Sequence, residues 1–162
     1  MSDPLQNGYD KVIQMLDGSG FPYRLHDHPP VRTIEDARKS VPHLTRNLLK
    51  TVAFRIKDAG WVLAAVNGGR RIDYRKLGAA VGVSRRSIRS ASPDQVASAL
   101  GFQIGGVGPF PVIPAASVIF DAALDGRGGV FCGSGRNTRT IEIELPALIT
   151  LTGARVCLIS RE

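Results

Sequence analysis

The chain has 162 residues, 43% of them hydrophobic, and a formal net charge of +7, which suits one domain with one core and a polyanionic partner. No apolar run approaches the roughly 18 residues of a membrane-spanning helix, and the opening "MSDPLQNGYDKVIQ" lacks the basic start and apolar stretch of a signal peptide. Two cysteines, Cys132 and Cys157, are too few for a disulfide framework, so a cytoplasmic protein with reduced thiols and no membrane partner is expected.

Tyr9, Val12, Ile13 and Leu16 recur at helical spacing, and Gly18 and Gly20 close that first helix. "YRLHDHPP" reads as a short strand running into a turn. Thr33 followed by Asp36 resembles a capping box that opens a short helix through Ala37. "TVAFRI" and "WVLAAV" are rich in β-branched and aromatic residues and form a hairpin about "KDAG", with four to five residues expected in the loop. After Asn67-Gly68-Gly69 the pattern is helical again, capped by Asp73 with Leu77, Ala80 and Val81 as the apolar face. Ser92-Pro93-Asp94-Gln95 starts a further helix that ends at Gly101.

Then comes a bare segment, "GFQIGGVGPFPVIP", with four glycines and three prolines in Gly101–Pro114. It is either a turn-rich loop or a wall of backbone amides. "SVIFD", "GGVFC" and "TRTIEIEL" follow as strands, the last alternating Ile141 and Ile143 with Thr140, Glu142 and Glu144. "LPALITLTG" predicts a short helix and "ARVCLIS" a closing strand. Without regular βαβ repetition, linker or repeat, the order predicts one α+β domain over residues 1–162, with a curved, mixed, barrel-like sheet flanked by helices.

Several motifs could carry chemistry. His26-Asp27-His28, with His43 beyond, invites a metal, but no matching ligand spacing completes a site; a turn with exposed imidazoles is expected, and no metal or cofactor. "CGSGRN" holds a lone G-x-G without the third glycine of a dinucleotide fingerprint. Cys132 is either a nucleophile without an assignable base or a small buried hydrophobe. Between Gly69 and Ser90 lie Arg70, Arg71, Arg75, Lys76, Arg85, Arg86 and Arg89 against the single acid Asp73. That stretch is either a phosphate-binding patch or a solvated face. Lys50, where "HLTRNLL" meets "TVAFRI", is either a snorkelling surface lysine or a point charge for phosphate or a developing oxyanion.

Three blocks together, "LLKTVAFRIKDAGWVLAAVNGGRRIDYRKLGAAVG", "ALGFQIGGVGPFPV" and "VFCGSGRNTRTIEIELPAL", resemble the YbaK/prolyl-tRNA-synthetase editing-domain family of aminoacyl-tRNA deacylases. The likeness runs from about His26 to the C-terminus. It implies that fold and hydrolysis of the ester between a wrong amino acid and tRNA, alanine or cysteine on proline tRNA being the family's usual substrates. By this likeness Lys50 matches the functional lysine and Gly105-Gly106-Val107-Gly108-Pro109 the family's G-x-x-x-P loop. Lys50 and Gly105 are then the expected catalytic positions, with Gly106, Val107, Gly108, Pro109, Cys132, Gly133 and Ser134 around the substrate. Losing one preorganised donor of such a loop costs about 2.7–4 kcal/mol of barrier.

Several relatives in that family carry a serine and, somewhat later, an aspartate near the pocket. Here Cys132 and Ser134 are the serine candidates, and Thr138 and Arg139 stand where the acid is expected. With no evident nucleophile, attack is expected from water or from the substrate's own hydroxyl or thiol. The size implies action in trans, with Arg70, Arg71, Arg75, Lys76, Arg85 and Arg86 on the acceptor stem of the mischarged tRNA and a synthetase as further partner. The alternative within the same fold is a catalytically weak module that binds aminoacyl-tRNA or a synthetase.

Overall fold

Strand β3 (Gly60–Asn67) organises the molecule because its sequence is apolar on both faces. Trp61, Leu63 and Ala65 enter one core; Val62, Ala64 and Val66 enter another on the far side of the sheet. The computed structural model describes residues 4–162; Met1–Asp3, the start of the segment inspected for a leader, lie outside the described residues. Among the described residues no helix is long and apolar enough to cross a membrane.

Strand β2 (Leu49–Ile56) pairs antiparallel with β3 along its whole length. The hairpin loop is Lys57–Ala59, shorter than expected, because Gly60 already pairs with Ile56 and Asp58 takes a left-handed φ of 62°. β5 (Ile88–Ser90) lies on the outer edge of β2. β6 (Ala116–Asp121) runs parallel to β3, and β9 (Arg155–Cys157) parallel to β6, giving a mixed five-stranded sheet in the order β5-β2-β3-β6-β9.

A second, antiparallel sheet contains β1 (Tyr23–Asp27), β8 (Arg139–Glu144) and β7 (Gly129–Gly133) in the order β1-β8-β7. A two-stranded ladder joins β4 (Arg71–Ile72) to β10 (Ser160–Arg161). The three sheets do not close, so the barrel expected from the sequence is corrected. The second sheet touches the first at the entrance to β2, through a single bridge between Leu48 and Phe131 and a bond from the Phe131 amide to Asn47 O at 3.0 Å. The expected closing strand also divides. Asp121 takes the Ile159 amide and the Ser160 hydroxyl, which turns the chain from β9 toward β4.

The main core lies between the sheets and helices α1 (Pro4–Ser19), α4 (Pro93–Leu100) and α5 (Leu145–Thr152). Helix α3 (Tyr74–Val81) covers the other face of the large sheet with Leu77. The predicted punctuation is present: Asp73 caps α3 through the amides of Arg75 and Lys76, Ser92 and Gln95 form a capping box on α4, and Gly101 ends α4 with φ 71°. Helix α2 (Ile34–Ser40), capped by Thr33 and followed by a turn of 3-10 helix at Pro42–Leu44, builds a small third core from Val31, Ala37, Val41 and Leu44. Leu48 and Phe131 pack against it, at the seam between the two larger sheets.

Candidate active site

That seam opens into a cleft of about 370 Å³. Its apolar floor is the small core of Val31, Ala37, Val41 and Leu44, and Leu48, Leu49, Lys50 and Thr51 enter it from the start of β2. Pleating directs Leu49 and Ala53 into the main core, while Lys50 shares the other face with Phe54 and Ile56. Lys50 Nζ donates to Arg70 O at 3.0 Å. Partial burial, assisted by the charge of Arg71, lowers the pKa of this ammonium from the ordinary lysine value of 10.5. The neighbouring Thr51 Oγ1 is buried without a hydrogen-bond partner among the described residues.

The bare segment supplies a second side through Gly105 and Val107. Its glycines fit the loop against the protein's own main chain. Gly105 has φ 83°, and a Cβ there would collide with the carbonyl of Val31. A Cβ on Gly108 would strike Gly133 O, and one on Gly133 would strike Val107 O. Bonds then sew the loop down: Gly106 N to Gln103 O at 2.8 Å, Gly135 N to Gly106 O at 2.7 Å and Gln103 N to Gly135 O at 2.9 Å. The Gly106 amide is therefore committed to the loop itself. The amides of Gly105 and Val107 have no backbone acceptor among the described residues.

Cations from the second sheet complete the cleft. Arg139 donates to Asp27 Oδ1 at 2.5 Å and to the Tyr9 hydroxyl at 2.6 Å, which hold its guanidinium charged. The same bond to Arg139 is the main reason the Asp27 pKa is lowered. The Arg136 guanidinium lies 4.1 Å from the centroid of the Tyr9 ring. His28 Nδ1 faces Pro29 O at 2.8 Å, and a carbonyl only accepts, so this nitrogen carries the proton. In the neutral ring Nε2 then accepts from Thr140 Oγ1, also at 2.8 Å. Arg32, Lys50, Arg136 and Arg139 all line the cleft, and no described aspartate or glutamate does. The site is cationic at its rim and apolar at its floor.

The sequence model of the aminoacyl-tRNA editing domain matches residues 28–151, which span every wall of this cleft. The chain belongs to the aminoacyl-tRNA editing domain family. This editing domain is 30% identical over 138 residues to the prolyl-tRNA editing protein ProX of Acetoanaerobium sticklandii, covering 80% of this chain and 81% of that one. It is 32% identical over 81 residues to a proline–tRNA ligase of Thermosipho africanus, half of this chain but 14% of the ligase. A solved structure proposed as a trans-editing enzyme for prolyl tRNA synthetase superposes with a TM-score of 0.80 at 27% identity, over 96% of this chain and 98% of that one. The editing domain is thereby placed among aminoacyl-tRNA deacylases, in the α+β fold of its structural neighbours.

The editing domain brings together Lys50, Gly105, Val107 and Gly133 of the residues expected from the sequence. Gly106, Gly108 and Pro109, in the same loop, are buried and do not line the cleft. Cys132 points into the main core, where burial pushes its thiol pKa up. Ser134 is fully buried and donates to Arg139 O at 2.5 Å, so it braces the β7–β8 turn. Of the basic stretch, Arg71, Arg75, Arg85 and Arg86 are exposed. Lys76 donates to Ser160 O and Arg70 to Ser160 Oγ, so both turn toward the β10 end. The histidine trio disperses: His26 pairs with Glu142 at 2.8 Å, His28 with Thr140, and His43 is exposed. Sequence reasoning missed Thr51 and Arg136, and met Arg139 only as a residue standing where an acid is expected. The one available signal was that "GRNTR" sets two arginines beside the Gly-rich strand end.

Proposed function

We propose that this domain works in trans as a deacylase that hydrolyses a small amino acid, alanine or cysteine, from mischarged proline tRNA. The observation that carries the reading is the cleft itself: an apolar floor under Arg32, Lys50, Arg136 and Arg139, with no carboxylate among the described residues that line it to repel a nucleic-acid end. The printed roles of ProX and of the trans-editing structural neighbour support the choice of proline tRNA. A volume of about 370 Å³ suits a small side chain together with part of the terminal nucleotide. Residues 1–162 act as a single domain, in the cytoplasm, with a synthetase as the source of the error.

In the proposed step a water oxygen bonds to the acyl carbon, and the bond from that carbon to the ribose oxygen breaks. The departing ribose oxygen takes a proton, leaving free amino acid and intact tRNA. Lys50 and the amides of Gly105 and Val107 stabilise the oxyanion, while the arginines hold the phosphates. Cys132 and Ser134 serve structure, one in the core and one at the turn. The test is a panel of tRNAs charged with alanine, cysteine, serine, threonine and proline. Hydrolysis of one small mischarged amino acid with prolyl-tRNA spared is expected. Tight binding of the same tRNAs with no hydrolysis would favour the catalytically weak binding module, the reading that the missing aspartate supports, no described aspartate or glutamate lining the cleft.

A further inference from the structure

Arg70 belongs to the basic stretch, yet its guanidinium is turned inward. Its Nε donates to Ser160 Oγ at 2.7 Å, and Ser160, fully buried, donates to Oδ2 of Asp121. Asp121 is 1% exposed and accepts the Ile159 amide on its other oxygen at 3.2 Å. Arg70 Nε lies 3.9 Å from the same Asp121 Oδ2. The residue is tied at its main chain too. Its amide closes a turn on Asn67 O at 2.9 Å, and its carbonyl receives Lys50 Nζ at 3.0 Å.

We propose that Arg70 is a positioning residue for Lys50, with Asp121 and Ser160 as its anchors, rather than a phosphate contact. The inference rests on the reading of Lys50 as a working charge in the cleft. A lysine head on a flexible stem moves toward solvent unless an acceptor holds it. The Arg70 carbonyl is that acceptor, and it is fixed because both the backbone turn and the side chain of Arg70 are fixed. Asp121 also balances the guanidinium charge close to Lys50. One N–H of Lys50 is committed to this carbonyl, which leaves two for a ligand.

The experiment places Arg70→Ala and Ser160→Ala in wild-type and Lys50→Ala backgrounds. It measures single-turnover deacylation at saturating mischarged tRNA, tRNA affinity, and the rate at which an amine-acylating reagent modifies Lys50. Arg70→Ala is expected to lower the saturated rate roughly tenfold with tRNA affinity within about twofold, and to add no loss once Lys50 is alanine. Ser160→Ala should act in the same direction and more weakly. Both should raise the labelling of Lys50 severalfold, whether or not Lys50 proves catalytic. Weakened affinity with an intact saturated rate would make Arg70 a phosphate contact and overturn the proposal. So would an additive loss in the Lys50→Ala background, or unchanged labelling. If Ser160→Ala fails to fold, Arg70→Ala still decides, since that side chain is 31% exposed. Wild-type activity in Lys50→Ala, with labelling still raised by Arg70→Ala, would reject the catalytic role of Lys50 and leave the anchoring intact.

Discussion

The strand side and the loop side of the cleft are built on different principles. In the proposed mechanism the work on β2 falls to a side chain: Lys50 stands near the start of the strand, and its head is held by a carbonyl across the β3–β4 turn. On the Gly105–Val107 side it falls to the main chain, and the glycines are there so that the backbone can lie against Val31, Arg136 and Gly133. The lesson is that a substitution on the strand side removes a charge and leaves the frame. One on the loop side moves the frame. The two should therefore fail in separable ways.

The largest effect is expected at Lys50. Lys50→Ala should lower single-turnover deacylation by about 100-fold or more while the thermal melt stays near that of wild type. Lys50→Arg should fail to restore the rate, because a planar guanidinium cannot occupy the same acceptor geometry. Gly105→Ala should lose both properties. A left-handed residue gains a Cβ aimed at Val31 O, so a stability loss of about 1–3 kcal/mol should accompany a fall in rate. Gly126→Ala is the control, with the same φ of 83° and open space around its Cβ; it should cost strain and leave the rate alone. A Gly105→Ala protein with wild-type melt and rate would erase the distinction between the two sides.

A pH profile sharpens the strand side. In the proposed mechanism the ammonium is the working form of Lys50, present below its pKa and lost as pH rises through it. Because burial lowers that pKa, the enzymatic rate, corrected for alkaline hydrolysis of the ester, should begin to fall below 10.5. The residual rate of Lys50→Ala should lack this limb. Thr51→Val should cost only severalfold in rate with stability unchanged or improved, since it deletes a hydroxyl without a partner among the described residues. The smallest effect belongs to the outlying patch. Alanine at exposed Arg75 or Arg86 should reduce the salt dependence of tRNA binding by about one unit of slope each and leave the saturated rate unchanged.

Much of the fold is legible where the signal is local. The run "WVLAAV" announces a strand, and Thr33, Asp73, Ser92 and Gly101 cap where they are expected to. The short pairings β4, β5 and β10 are not legible, because two or three residues carry no periodicity and their partners are distant. The junction of the two larger sheets is equally invisible, since it turns on one bridge between Leu48 and Phe131. At the site, a lysine opening an apolar strand and a glycine-rich segment both stand out. Arg136 and Arg139 do not, because Tyr9 and Asp27 reach them from more than a hundred residues away. Cys132 shows the converse: a residue conspicuous by type that the core simply absorbs.

The most direct test of the central claim is single-turnover hydrolysis of alanyl and cysteinyl proline tRNA by wild type and Lys50→Ala, at saturating protein and at a pH below the Lys50 transition. The account predicts rapid release of one of these amino acids by wild type, with at least about a 100-fold loss in the variant while tRNA still binds. Equal rates in the two proteins would contradict it, because the charge held by the Arg70 carbonyl would then have no part in the chemistry.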